Sequence, residues 1–286
     1  VAQPWDRESS GWSTPQLVDA PTPLARRSEP VRVVDTLAPA EITRTDRGTY
    51  LLDFGQNFAG RLRLRASGPA GHRIGIRHAE VLENGELALR PLRFAQAHDQ
   101  FVLAGNGVEE LIPFGTFHGF RFAEIDGWPG ALAPEDIHAE VLSSDTRRVG
   151  WFSSSHALLD RLHENVVWST RSNFLSVPTD CPQRDERMGW TGDAAVFAPT
   201  ALTLFDATAF LSNWLDDLAI EQRRHSGVVP FVVPDVLGFP AAPTAGWGDA
   251  AVLVPTALFE HSGDAEILAE RHGSMQAWID AVTRVA

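Results

Sequence analysis

From about Val31 to Leu142, apolar and polar positions alternate along the chain. In GTYLLDFGQNFAGRLRLRASG (Gly48–Gly68), Tyr50, Leu51 and Leu52 precede a break that carries Gly and Asn. Leu62 and Leu64 then alternate with Arg61, Arg63 and Arg65. A period of two is that of a half-buried strand. HRIGIRHAEVL repeats it at Ile74 and Ile76, and FGTFHGFRFAEIDGW at Phe117, Phe120, Phe122 and Ile125; DQFVLAGNG is a short apolar strand closed by Gly and Asn. Short strands separated by turn residues, with no helical stretch among them, predict an antiparallel β-sandwich over residues 31–145. Residues 1–30, rich in Pro, Ser and Trp, read as a linker or the tail of a preceding module.

After SSDTRRVGWFSSS the period changes. In SSHALLDRLHENVVWSTRSNFLS, Leu158, Leu162, Val166 and Thr170 fall on one helical face with Leu159 beside them, and Ser154 or Ser155 serves as the N-cap. Further helices are expected at about 193–204, 208–224, 247–262 and 264–285. The second places Phe210, Trp214 and Leu218 in register, with Leu211 and Leu215 adjacent. The connection HSGVVPFVVPDVLGFPAAPTAG is long for a helix–helix link, and loops of that length on a rigid scaffold often carry function. The end, MQAWIDAVTRVA, is mid-helix in character, so the helical part is expected to be cut short.

Composition narrows the field. The 286 residues are 44% hydrophobic and 21% charged, with a net charge of −13. Phosphate backbones repel such a surface, which argues against nucleic acid. No apolar run reaches the length of a membrane span, and no signal peptide is visible, although the chain starts at Val1 rather than Met. Cys181 is the single cysteine; it permits no internal disulfide and fits a reducing compartment. No HExxH, and no close His pair facing a carboxylate, suggests a metal site.

The chemistry concentrates in PTDCPQRDERMGW (Pro178–Trp190), with Asp193 three residues on. Asp180, Asp185, Glu186 and Asp193 put four carboxylates within fourteen positions. Neighbouring negative charges raise one another's pKa, whereas Arg184 and Arg187 hold a carboxylate charged. Such a set can divide into a proton-bearing and a charged member, as acid–base catalysis requires. Trp190 and Trp247 offer flat faces for a sugar ring. A plainer reading stands beside this one. The cluster could be a capped helix start with surface ion pairs, Asp193 an N-cap, and the tryptophans core. Cys181 reads as a small buried hydrophobe, with no His or Asp partner near it in sequence.

VPTDCPQRDERMGWTGDA (Val177–Ala194) closely resembles the signature of the bacterial α-L-rhamnosidases, glycoside hydrolase family 78. YLLDFGQNFAGRLRL and PFGTFHGFRFAEIDGWPG look like the β-domain of that family, and SGVVPFVVPDVLG and GWGDAAVLVPTALFEHSGD like its early helices and loops. The resemblance implies a multidomain β + α architecture: the antiparallel β-sandwich followed by a truncated (α/α)6 barrel, here the N-terminal part over 146–286. It implies hydrolysis of terminal α-L-rhamnose with inversion, Glu186 as general acid, and no metal or organic cofactor. It also implies that Asp180 and Asp193 bind rhamnose hydroxyls, with Arg184, Trp190 and Trp247 lining the pocket. Asp180 and Asp193 are further expected to keep Glu186 protonated.

The general base of the family lies later in the barrel, beyond this chain. About five helices are expected where the full barrel has twelve, so the chain alone is expected to be inactive or nearly so and to expose apolar faces. The partner is a rhamnose-containing glycoside; the oligomeric state is open, a homodimer included. Two other readings remain. The β-sandwich could bind carbohydrate by itself through Gln56, Asn57, Arg77, Glu80, His118 and Arg121, or the chain could be a poorly folding structural relic.

Overall fold

A computed structural model of the chain describes residues 16–19, 27–240 and 242–286. The linker expected over 1–30 lies mostly outside these residues. Ten strands precede the first helix: β1 (Val31–Leu37), β2 (Glu41–Arg44), β3 (Tyr50–Ser67), β4 (Arg73–Ala79), β5 (Leu82–Glu83), β6 (Glu86–Leu87), β7 (His98–Val102), β8 (Val108–Leu111), β9 (His118–Asp126) and β10 (Ile137–Ser144). Eight of them form one antiparallel sheet in the order β1-β10-β3-β9-β4-β7, with β2 and β8 also paired to β3; β5 and β6 form a separate hairpin.

The expected sandwich is therefore a single curled sheet, and β3 is the reason. Gly55–Asn57 looks like a turn in sequence, yet β3 runs unbroken through it. Its register with β9 shifts between Asp53 and Phe58, and Gly55 sits at φ +72°. A bulge of this kind bends a strand without ending it. One half of β3 thus pairs with β2 and β9, the other with β10 and β8. The curl encloses Leu52, Phe58, Leu62, Leu64, Ile74, Ile76, Phe120 and Ile125, all fully buried. Phe117 and Phe122 are only half-buried. The buried carboxylate of Glu124 is matched by Arg47, Arg77 and Thr49, as burial of a charge demands.

Five helices follow: α1 (Ala157–Asn173), α2 (Thr191–Leu204), α3 (Thr208–Arg224), α4 (Ala250–Ser262) and α5 (Ala265–Thr283). Between α1 and α2 lies a small hairpin, β11 (Phe174–Leu175) and β12 (Val177–Pro178), which delivers the chain into the Pro178–Trp190 stretch. Phe210, Leu211, Trp214, Leu215 and Leu218 of α3 all enter a second core, with Val254 and Leu258 of α4 and Trp278 of α5. The spacing of α3 is borne out in full.

The face assigned to α1 is not. Leu158, Leu159 and Leu162 are 74%, 48% and 58% exposed, beside exposed Trp151 and Phe152. Only the later part of α1 is clamped between the sheet and the helices. There Val167 and Thr170 are buried, Trp168 packs on the sheet core, and the Ser172 hydroxyl accepts from the Ala59 amide at 3.2 Å. Nor do Ser154 or Ser155 cap the helix. The residue preceding it is His156, and the Ser154 hydroxyl accepts from the His156 amide instead of a first-turn amide.

Candidate active site

The Pro178–Trp190 stretch is held from two sides. On the helical side, Gly189 lies against the long 225–249 connection: its carbonyl accepts from the Val233 amide, and a Cβ at 189 would stand 2.2 Å from the Val233 carbonyl oxygen. The connection, a candidate for function by its length, thus acts in part as a floor, with Val229, Val232 and Val233 buried. On the sheet side, β9 presents Gly119, where a Cβ would fall 2.7 Å from Pro182 and 2.9 Å from the Gln183 amide nitrogen. The loop therefore touches sheet backbone directly, which only a residue without Cβ permits. Arg187 completes the clamp, donating to the Phe117 carbonyl at 3.0 Å with its guanidinium over the Phe117 ring.

Within this frame the charges form one connected chain. Asp180 accepts from Arg184 Nη2 at 3.1 Å and from the Met188 amide at 3.0 Å. Arg184 Nε donates to Glu186 Oε2 at 2.9 Å, and Trp190 Nε1 to Glu186 Oε1 at 3.0 Å. Arg93, from the β-domain, also donates to Glu186 Oε2, at 2.9 Å. Desolvation pushes the Glu186 pKa up, but the hydrogen bond and charge of Arg184, the charge of Arg93 and the Trp190 indole outweigh it, and the net shift is downward. This corrects the expectation that Asp180 and Asp193 keep Glu186 protonated. The guanidiniums are bonded to Glu186 directly, and the other carboxylates are not. Asp193, in the first turn of α2, moves the opposite way. Protein packed around its carboxyl raises its pKa, and the charges of Asp180 and Glu186 add to the rise.

Asp180, Asp193 and Trp247 line one cavity of about 610 Å³, between α1, α2 and the loop before α4. Trp247 packs against Gly192 and meets Phe231 edge to face at 5.7 Å. Arg184 and Asp180 line a second cavity of about 540 Å³ at the seam with the sheet, opposite Gln56, Asn57, Glu80 and Arg121. Asp180 thus borders both. Of the other sheet residues considered for sugar binding, Arg77 is engaged by Glu124 and His118 by Asp99. The six site residues expected from sequence fall into two groups: Asp180, Arg184, Glu186 and Trp190 in the bonded chain, and Asp193 and Trp247 with Asp180 on the larger cavity.

Cys181 is buried, and burial, aided by Asp180, pushes its thiol up to about 12. A thiol so buried and so far raised is poorly suited to act as a nucleophile at neutral pH. Among the described residues, two groups of donor atoms lie close enough to meet at a metal ion. Asp180, Cys181 and Glu186 are a poor set, because both carboxylates are already paired with Arg184. His78, Asp99 and His118 are no better: the two imidazoles stack at 4.3 Å with planes 22° apart, so their in-plane lone pairs cannot converge on one ion. Strand pairing brings these three together from 40 residues of sequence, which motif spacing cannot reveal. Arg93 escaped sequence reading for the same reason.

Comparison with known proteins places the architecture. Residues 147–286 match the family model of the bacterial α-L-rhamnosidase six-hairpin glycosidase domain, and 43–143 that of the bacterial α-L-rhamnosidase concanavalin-like domain. The class is that of the glycoside hydrolases, a β-sheet domain docked on a helical glycosidase domain. The chain belongs to the bacterial α-L-rhamnosidase family. An α-L-rhamnosidase of Streptomyces avermitilis is 39% identical over 96% of this chain, and the chain spans 28% of that relative's length. The crystal structure of the Streptomyces avermitilis α-L-rhamnosidase complexed with L-rhamnose superposes with a TM-score of 0.88 at 41% identity, covering 92% of this chain and 26% of that one. The native Aspergillus terreus α-L-rhamnosidase gives 0.87 at 47% identity, covering 90% and 30%.

Proposed function

We propose that this chain supplies the rhamnose pocket and the general acid of an α-L-rhamnoside hydrolase that inverts the anomeric centre. The observation that carries the reading is the bonded chain Asp180–Arg184–Glu186–Trp190 beside the cavity lined by Asp180, Asp193 and Trp247. A rhamnose ring seated there has Trp247 for a face and Asp180 and Asp193 for its hydroxyls, with Arg184 and Trp190 reaching it from the bonded chain at the Asp180 edge. Glu186, once protonated, gives its proton to the glycosidic oxygen as that bond to the anomeric carbon breaks. Water adds to the anomeric carbon from the opposite face and loses a proton to a second carboxylate, roughly 6.5–9.5 Å from the first. The neighbouring carboxylates stabilise the positive charge that develops on the ring. The reaction needs no cofactor.

At rest Glu186 is charged, so sugar entry must favour its protonated form. Replacing water around the carboxyl with a neutral sugar does so, because desolvation raises a carboxylate pKa. The second carboxylate is assigned outside this chain. Asp180 has both oxygens engaged, and Asp193, with its raised pKa, is suited to bonding a hydroxyl. In a rhamnoside-release assay the 286 residues alone are expected to give little or no turnover; turnover comparable to a full-length homologue contradicts the assignment. With the second carboxylate supplied by a full-length enzyme bearing this chain, Glu186→Gln should lower kcat by roughly 10²–10⁴ on substrates with poor leaving groups. Unchanged turnover there removes Glu186 from the role.

A second reading rests on the seam cavity, where Gln56, Asn57, Glu80 and Arg121 give the β-domain a polar wall of its own. Rhamnose binding that survives both Glu186→Gln and Asp193→Asn would favour it.

A further inference from the structure

Glu186 takes its second guanidinium from another domain. Arg93 follows a 3-10 turn at Arg90–Leu92, 93 residues before Glu186, and its Nη1 lies 2.9 Å from Glu186 Oε2. The exposed turn is held by hydrogen bonds on either side of Arg93, whose amide donates to the Arg90 carbonyl at 3.2 Å. Arg93 adopts φ +56°, a region that residues with a Cβ rarely occupy. Leu92 is buried in front of it, the Ala95 amide donates to the Leu92 carbonyl, and buried Ala97 accepts from both the backbone and the ring of His78. A sparsely populated conformation persists where its surroundings over-determine it, and such residues cluster at functional sites. Here the constrained residue aims its side chain across the domain seam.

The two oxygens of Glu186 are treated differently. Oε2 receives both cations, Arg93 and Arg184, whereas Oε1 receives only the neutral Trp190 indole. Negative charge is stabilised at Oε2, which leaves Oε1 as the oxygen that can carry a proton. We propose that Arg93 is a positioning residue: with Arg184 it fixes Glu186 so that the transferable proton resides on Oε1, and the β-domain thereby becomes part of the acid's site. The inference rests on Glu186 being the proton donor. The charged and titratable groups around Glu186 are Arg93 from the β-domain, Asp180, Cys181 and Arg184 from its own loop, and Asp193 from α2.

The test is a pH titration of Glu186 Cδ by NMR in the 286-residue chain labelled with ¹³C-glutamate, the resonance assigned by its loss in Glu186→Gln. In the native chain the midpoint should lie below the ordinary glutamate range. Arg93→Met should raise it by roughly one unit and move the Trp190 indole N–H resonance, while Arg93→Lys should restore most of the midpoint, because charge is retained. A midpoint unmoved in Arg93→Met overturns the proposal, as does a shift that Arg93→Lys fails to restore. If Arg93→Met unfolds the chain, the Lys variant decides: a native midpoint there supports the charge role, and a raised one contradicts it. Failure of the underlying reading is separate. It shows as hydrolysis by a full-length enzyme bearing this chain that Glu186→Gln leaves undiminished, whatever Arg93 does to the titration.

Discussion

Three donors grip Glu186, and each arrives by a different route: Arg184 from two residues away, Trp190 from the turn entering α2, and Arg93 across the domain seam. The first two are legible in sequence because the motif is contiguous. Its charge density marks it, and a charged run bounded by Pro and a Gly–Trp pair is too rich for a plain loop. Arg93 is not legible, since nothing in LRFA points toward residue 186. His78 is similar. It reads as one more strand residue, yet it is wholly buried, stacked on His118, with Nδ1 donating to the Ala97 carbonyl. Burial, with His118 beside it, lowers its pKa to about 3. The unfolded imidazole titrates near 6.5, so between these values the unfolded chain binds the extra proton. The stability from a neutral His78 is therefore complete above about pH 6.5 and declines as pH falls toward 3. Denaturant unfolding between pH 7 and pH 5 should show stability dropping with a slope approaching about 1.4 kcal/mol per unit. In His78→Gln the protein should be weaker overall and that slope reduced. An unaltered slope assigns the acid sensitivity to other groups.

At the scale of elements, periodicity told most where one face is buried along its whole length. All five helices lie close to where spacing placed them, and α3 buries every apolar residue assigned to its face. The errors have physical causes. Gly55 and Asn57 are turn-forming residues, and a bulge uses the same residues as a turn, so the alternation alone divides β3 in two. In α1 the stripe was correct as a pattern, but only its later half has a partner. The hairpin of β11 and β12 is too short to leave a period. The contact between β9 and the signature loop depends on Gly119. Gly119→Ala should force Pro182 and Gln183 away from the strand and cost about 1–3 kcal/mol, the range for overpacking. Thermal unfolding checks this, and the Arg187–Phe117 contact should loosen with it. An alanine accepted without loss would mean that the loop is not pressed on β9.

The described residues form two separate cores, and the candidate site lies at the seam between them. The sheet contributes Gly119, Phe117 and Arg93, the helical domain contributes the Pro178–Trp190 loop, Asp193 and Trp247, and Asp180 borders both cavities. The sheet domain thus shapes the site as well as preceding it. The division into domains is legible in the change of period near residue 150 and in the family resemblance; the seam, a product of tertiary packing, is not. If the reading is right, the loop and cavity of the helical domain hold rhamnose. Titration of L-rhamnose into the 286-residue chain, followed through the indole N–H resonances of Trp190 and Trp247, tests it most directly. Both resonances should shift saturably and lose those shifts in Asp193→Asn; shifts confined to the sheet side of the seam, or none at either tryptophan, would place the sugar elsewhere or nowhere on this chain.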